Sequence, residues 1–281
     1  MEQYIIQIVI FMAINIMLAV SLNLINGITG QFSLGHAGFM AVGAYASAIL
    51  AKNYSLPILL TILIGAILAG MVGVLIGFPV LRLKGDYLAI VTLGFGEIIR
   101  VIILNMKITG GAKGLPGIPG GVTLLVSYFF ALITVVVILN IMNSTDGRAF
   151  LAIREDEIAA EAMGINITLY KVLAFAIGAF FAGIAGGLYA HFYQFLKPDS
   201  FNLYKTVDIL LMVVLGGMGS VTGSILAAII LTIIPELLRS FAEYRMIAYS
   251  LTLIILMLAR PNGIFGKKEI TDIISFKKRG R

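Results

Sequence analysis

Apolar runs nearly twenty residues long, one after another, leave this chain few places to fold other than a lipid bilayer. The clearest are "LLVSYFFALITVVVILNIM" (124–142) and "VLAFAIGAFFAGIAGGLYA" (172–190), which carry no charged side chain. About 20 apolar residues at 1.5 Å each cover the hydrocarbon core as a helix. The rest of the chain agrees: 60% of its 281 residues are hydrophobic and only 12% charged, against about 25% charged in soluble domains. The expected fold is an all-α integral membrane protein, a polytopic helical bundle forming a single membrane domain over 1–281.

Nine candidate spans follow: about 4–25, 33–51, 57–78, 87–105, 122–142, 169–192, 206–219, 221–238 and 246–260. The range of spans is about eight to ten, some short or broken, because "GGMGSVTGS" interrupts the stretch 206–238. One unbroken helix there would be roughly 50 Å long, too long for a single crossing. No basic residue precedes the first run, so it reads as a retained span rather than a signal peptide. An N-terminus outside leaves twelve basic residues on cytoplasmic segments, against seven outside. The positive-inside rule favours that orientation, with a basic cytoplasmic tail at 261–281. Tyr4, Tyr54, Tyr87, Tyr170, Tyr193 and Tyr204 fall near span ends, as an interfacial belt would. The net charge of +6 reflects this anchoring and topology, with no nucleic-acid partner expected.

Enzymatic chemistry is disfavoured. Cysteine is absent, and the two histidines, His36 and His191, are too far apart for a metal-binding helix motif. No catalytic residues, cofactor or metal site are expected. Neither a G-x-x-x-x-G-K-[ST] loop nor a G-x-G-x-x-G fingerprint occurs. His191, beside Tyr193 at a span end, reads as interfacial. "VTLGFGEIIRVIIL" (91–104) echoes "VVLGGMGSVTGSIL" (213–226), either as an internal repeat or as chance similarity between two glycine-bearing apolar helices.

Between two of the apolar runs stands "REDEIAAEAMGIN" (154–166). Leu151, Ile158, Ala162 and Ile165 share one face at helical spacing, with Glu155, Asp156 and Glu157 off it and Glu161 one turn beyond Glu157. Gly164 then Asn166 is a stop signal. One short amphipathic helix on the cytoplasmic surface is expected, within a loop spanning 144–166. A lipid anchor would carry Lys and Arg on its polar face. An acidic helix with small Ala159 and Ala160 suits a protein partner better. The candidate contact residues are Arg154, Glu155, Asp156, Glu157, Ala159, Ala160, Glu161 and Gly164.

Polar residues at membrane depth are the remaining candidates. In "NLINGITGQFSLGHAGFMAVGAYASAIL" (23–50), Asn23, Asn26, Gln31, Ser33 and His36 sit among glycines and alanines. Close packing with internally satisfied polar groups and a broken element lining a solute path are both open readings. Glu97 lies inside a span one turn from Arg100, in reach of pairing. Asp86 opens a helix, and "TGGAKGLPGIPGG" (109–121) is an outside loop of ordered turns.

Taken in order, "LINGITGQFSLGHAGFMAVGAY", "LKGDYLAIVTLGFGEIIR", "TGGAKGLPGIPG", "IREDEIAAEAMGIN", "VVLGGMGSVTGSILAA" and "ELLRSFAEYRMIAYSLTLIILMLARPNGIFG" resemble the permease subunits of branched-chain amino-acid ABC transporters, of the LivM type. The acidic stretch is similar to their E-A-A-x-x-x-G docking loop, with Ile158 in place of the Glu. The resemblance implies a coupling helix, a second related permease subunit, two ATPase subunits and an extracytoplasmic solute-binding protein in a bacterial or archaeal cytoplasmic membrane. It implies import of leucine, isoleucine and valine. A permease of the same family for urea, amides or other amino acids would share these motifs. A channel or secondary transporter independent of ATP would need no docking helix.

Overall fold

The computed structural model describes residues 2–80, 83, 85–237, 263 and 266. The expected ninth span, nearly all of the basic tail, and Arg82, Lys84, Arg239 and Arg245 lie outside the described residues. Among the described residues ten α-helices follow in order: α1 (Glu2–Asn23), α2 (His36–Tyr54), α3 (Ile58–Val80), α4 (Asp86–Asn105), α5 (Leu124–Asn143), α6 (Thr145–Glu155), α7 (Glu157–Ala162), α8 (Ile167–Tyr193), α9 (Leu203–Gly216) and α10 (Val221–Leu237). A π-helical turn, Leu24–Ile28, extends α1. Each of the first eight expected spans coincides with a helix. Five are long and apolar enough to cross a membrane: α1 with its π turn, α3, α4, α5 and α8.

The others differ for physical reasons. α2 has 19 residues, but His36, Lys52 and Asn53 lower its hydropathy. It tolerates them because it is an inner helix, packed between α3 and α8. α9 has 14 residues, about 21 Å, short of a 30 Å core, and α10 runs to the edge of the described residues at Leu237. α9 starts below the end of the bundle. Asp199 in the preceding 3₁₀ turn reaches Arg100 within α4, and Lys205 reaches Asn15 near the middle of α1. The 91–104 segment lies in one helix, whereas 213–226 runs from α9 through a turn into α10. The echo between them therefore reflects no shared structure.

The helices are patterned inside out relative to soluble ones. α3 exposes Leu60, Leu63, Ile67, Met71, Leu75 and Phe78, and turns Ala66 and Ala69 inward. Lipid is as apolar as leucine, so burial of large side chains gains little, and close backbone approach drives packing instead. Gly43 of α2 meets Gly183 of α8 so tightly that an added Cβ would lie 2.3 Å from the Gly183 Cα. α1 runs through the centre, against α5, α8, α9 and α10.

One end of the bundle is closed by loops. The strands β1 (Leu115–Pro116) and β2 (Phe195–Leu196) pair antiparallel, an arrangement absent from the apolar pattern. His191, expected at an interface, is only 1% exposed. Its Nδ1 donates to the Pro119 carbonyl at 2.7 Å, which leaves Nε2 to accept near Ser47 Oγ at 2.9 Å. The Gly/Pro loop is thus tied to the ends of α2 and α8, and Lys52 Nζ adds a bond to the Pro116 carbonyl at 2.7 Å. At the opposite end lie α6 and α7. Gly263 and Gly266 pack against Gly217, just beyond α9.

Gly43→Ala should lower the thermal midpoint of the detergent-solubilised protein, because overpacking costs about 1–3 kcal/mol. Gly94→Ala, whose added Cβ meets nothing within 4 Å, should leave it unchanged or raised by up to about 1 kcal/mol of helix propensity. Equal midpoints for the two variants would contradict backbone-contact packing of α2 on α8.

Candidate functional site

The acidic stretch is two helices, not one. Asp156 leaves helical geometry (φ −156°, ψ 112°), and its Oδ1 accepts from the Ile158 and Ala159 amides at 2.8 and 3.1 Å. A short side-chain acceptor in that position ends α6 and caps α7. α7 closes where Gly164 takes φ +85°, and Asn166 Oδ1 then caps α8 through the Leu169 amide at 3.1 Å. An added Cβ at Gly164 would meet nothing within 4 Å. Glycine is needed there for backbone conformation alone.

The break rearranges the expected stripe. Ile158 and Met163 project into solvent at 75% and 83% exposure, and Ala159 and Glu161 are exposed beside them. Ala160, expected at the partner contact, faces inward at 3% exposure. Six residues make less than two turns, so packing against α8, not period, decides which side is buried. Glu157 pairs with Lys171, a buried cation on α8. α6 is held by an edge-to-face contact of Phe150 with Tyr170 at 5.6 Å, and by the Tyr170 hydroxyl donating to Asp146 at 3.2 Å. Glu155 is exposed at the end of α6.

Arg154 joins this end to the core. Its side chain lies against Gly30, in the loop after the π turn, and against Gly219, in the α9–α10 turn. Cβ atoms added to those glycines would come within 3.0 Å of Arg154 Cγ and 2.6 Å of Arg154 Nη1. The α9–α10 turn is also gripped by Asn23. Its Oδ1 accepts from the Gly219 amide at 2.8 Å, and its Nδ2 donates to the Ser220 carbonyl at 2.9 Å.

The other intramembrane candidates divide. Asn26 makes the same two-armed contact with the backbone of Ser33, at 3.1 and 3.2 Å. His36 Nε2 lies 2.9 Å from Ser21 Oγ, while its Nδ1 and the Gln31 Nε2 are buried without a hydrogen-bond partner among the described residues. Glu97 pairs with Arg100 at 2.7 Å, and Arg100 reaches on to Asp199 at 2.9 Å. This cluster is half-exposed on α4 rather than interior: the Glu97 side chain is 36% exposed.

A second polar site, which no sequence motif marked, lies between α1, α9 and α10. Asn15 is its hub. Its Nδ2 donates to Thr232 Oγ1 at 3.0 Å, and its Oδ1 accepts from Lys205 Nζ at 3.3 Å. Lys205 Nζ also sits 5.0 Å from the centre of the Phe11 ring. Around these groups is a cavity of about 320 Å³, lined further by Asp208, Met212, Leu231 and Pro235. A second cleft of about 410 Å³ shares Ile8, Phe11 and Glu236 with it and extends to Tyr4 and Tyr193, toward the β-strand end. Lys205 is one of the seven basic residues that the sequence reading places outside; it lies instead at the level of Asn15, which removes it from that count. Intramembrane ionisable residues were the available signal, but proximity to an expected span boundary hid it.

Apolar helices around buried polar groups, an ionic cleft reaching from one end and a capped helix standing out at the other make up a membrane transport subunit. The chain belongs to the family described as the branched-chain amino acid transport system permease component, which matches residues 4–259. It is 41% identical, over 89% of its length and 67% of the relative's, to the high-affinity branched-chain amino acid transport system permease protein LivM of Escherichia coli. A probable branched-chain amino acid transport permease protein LivM of Methanocaldococcus jannaschii is 26% identical over 76% of the chain and 69% of the relative. The LivH permease protein of Escherichia coli is 33% identical over 47% of the chain and 44% of the relative. No solved structure matches.

Asn23→Ala would strip the part-buried Gly219 amide of its partner, at about 1–3 kcal/mol, and leave the Ser220 carbonyl to the Ser224 amide and hydroxyl. A clear fall in the detergent melting midpoint is expected, against little change for Asn105→Ala at the exposed end of α4. Equal, small shifts would mean that water or the backbone itself satisfies the α9–α10 turn.

Proposed function

We propose that this chain is the membrane-spanning permease subunit of an ATP-driven importer, and that its solutes are branched-chain amino acids. The observation that carries the coupling half of this reading is α7. It is capped at both ends, tied to α8, and presents Ile158 and Met163 to solvent. Isolated large apolar side chains on a short rigid helix suit a groove in a partner protein. The partner in this reading is one of two ATPase subunits, since the sequence carries no phosphate-binding loop of its own. Arg154, Glu155, Asp156, Glu157, Ala159, Glu161 and Gly164 form or support the docking element, and Ala160 seats it on α8.

The remaining partners in this reading are a second, related permease subunit and an extracytoplasmic solute-binding protein. The chain crosses the cytoplasmic membrane of a bacterium or archaeon about nine times, with its N-terminus outside and its tail in the cytoplasm. Basic-residue asymmetry supports this orientation, and the packing of Gly263 and Gly266 near the α7 end agrees with it. The solute path runs along α1, with Gln31, His36 and Glu97 at its margins and Asn23, Asn26 and Ser33 holding its backbone. Urea, amides or other amino acids are the alternative solutes of this fold. The family description and the relatives' names favour branched-chain amino acids.

Two experiments test this reading. Cysteines placed at Ser144 and Ser275 should both resist impermeant reagents in intact cells; labelling of either from outside overturns the orientation. In the reconstituted complex, Ile158→Asp with Met163→Asp should lower leucine uptake and solute-stimulated ATP hydrolysis together by about tenfold or more, the loss expected for an interface anchor. The permease should still insert. Full coupling in that variant would leave α7 as a surface helix without a transport role.

Gly164 adds a finer prediction. Gly164→Asn should be tolerated, because Asn enters the left-handed region readily, whereas Gly164→Val should reduce coupling through about 1–2 kcal/mol of strain. Uptake assays on the two variants side by side make the comparison.

A further inference from the structure

The cleft between α1, α9 and α10 has a composition that packing does not require. It holds a lysine and an aspartate on successive turns of α9, with an asparagine and a threonine facing them from α1 and α10. Residues three apart on a helix are neighbours on its surface, so Lys205 and Asp208 present opposite charges side by side to one cavity. Lys205 spends one of its three donors on Asn15. Asp208 accepts no hydrogen bond among the described residues; its interaction with Lys205 is one of charge alone. Ile8 and Phe11 from α1, Met212 from α9 and Leu231 from α10 supply apolar wall, and Glu236 of α10 stands where the cavity meets the adjoining cleft. Pro235 lacks the amide that would bond the Leu231 carbonyl four residues earlier, and both residues line the cavity.

We propose that this cavity binds an α-amino acid as its zwitterion. Lys205 and Asn15 take the carboxylate, Asp208 takes the ammonium with the Leu231 carbonyl, and Met212 and Leu231 hold an aliphatic side chain. The chemistry selects the ligand: a carboxylate and an ammonium one carbon apart fit opposite charges on adjacent positions of one helix. Urea and simple amides carry neither charge and would leave the two side chains with only each other and Asn15 in a low-dielectric site. The volume of about 320 Å³ falls at the lower end of the roughly 300–1,000 Å³ of small-molecule sites. The cavity lies at the level of Asn15, about 20 Å along α1 from its start, and the adjoining cleft at Tyr4 and Tyr193 leads to it from the β-strand end. It is therefore a mid-membrane stop on the path, reached from outside. Unlike a handover by the binding protein alone, it gives the permease a selectivity of its own.

The proposal rests on the importer reading, and one set of measurements separates the two. The complete transporter is reconstituted with its ATPases and binding protein. Radiolabelled leucine uptake is measured, and a diazirine-bearing leucine analogue is photoactivated in the unmodified complex, with adducts mapped by mass spectrometry. Adducts are expected on α1, α9 or α10, foremost at Met212 and Leu231, and excess leucine should suppress them. Lys205→Met should lower uptake by about tenfold or more, as loss of a charged hydrogen bond does, while assembly and solute-independent ATP hydrolysis persist. Lys205→Arg should restore most of the uptake, which a merely structural lysine at a cramped site would not permit. Normal uptake with adducts confined to other helices overturns the site and leaves the importer reading intact. Normal uptake by Lys205→Met also overturns the site. An unmodified complex that imports no branched-chain amino acid overturns the importer reading, and the site with it.

Discussion

The two hydrogen bonds from Asn23 to the α9–α10 turn hold together the parts of this molecule that have to act in concert. A turn between helices exposes amides and carbonyls, and at membrane depth water cannot be relied on to satisfy them. Asn23 offers an acceptor to Gly219 and a donor to Ser220 in the geometry of a peptide group. The turn is thereby bound to α1 as a strand would be to its neighbour. Beside this contact the chain widens into the π turn at Leu24–Ile28, and Gly27 lies so close to Gly219 that a Cβ there would come within 2.3 Å of its amide nitrogen. π turns are frequent at functional positions. Here the turn follows directly on Asn23, where α1 meets both the α9–α10 turn and Arg154.

From that junction a continuous physical route runs in both directions. Toward α7, Arg154 in the last turn of α6 touches Gly30 and Gly219, and the chain passes through the Asp156 cap into α7. Toward the membrane centre, α9 and α10 diverge from the turn and enclose the cavity with Asn15. α7 is thus connected to the helices that carry Lys205, Asp208 and Thr232 through the Arg154 side chain and the close backbone contacts it makes at Gly30 and Gly219. This is spatial continuity, and energetic coupling along it is what the paired uptake and ATPase measurements read.

How legible all this was in the sequence depended on what sets each feature. Spans against lipid were plain, because lipid imposes a length and an apolarity on every exposed helix, as in α3, α4 and α5. α2 was also found, although its own composition is mixed; its glycines and alanines marked it as an inner helix. The division of 154–166 was missed, yet Asp156 ahead of Ile158 and Ala159 is itself a capping signal that a single-helix reading overrode. The inward turn of Ala160 could not be read, since a helix of six residues has no period to read. His191 was misplaced because its partners, Ser47, Thr61 and Pro119, come from three distant segments. The Asn15–Lys205–Thr232 cluster was hidden for the same reason.

The shortness of α9 follows from the same constraint that made the long spans visible. A full-length helix satisfies its own backbone and offers a passing solute only side chains. A helix that begins below the surface, as α9 does after Asp199 and Asn202, brings loop and helix-end groups to membrane depth. These are tolerable there only where they line a polar cavity or are bound by protein. Both solutions occur in this one segment. Arg100 holds Asp199 at the entry, Asn23 holds the turn at the exit, and between them α9 presents Lys205 and Asp208 to the cavity. Extending α9 to span the core would make it more stable as a helix but would bury this charged pair where no solute could reach it.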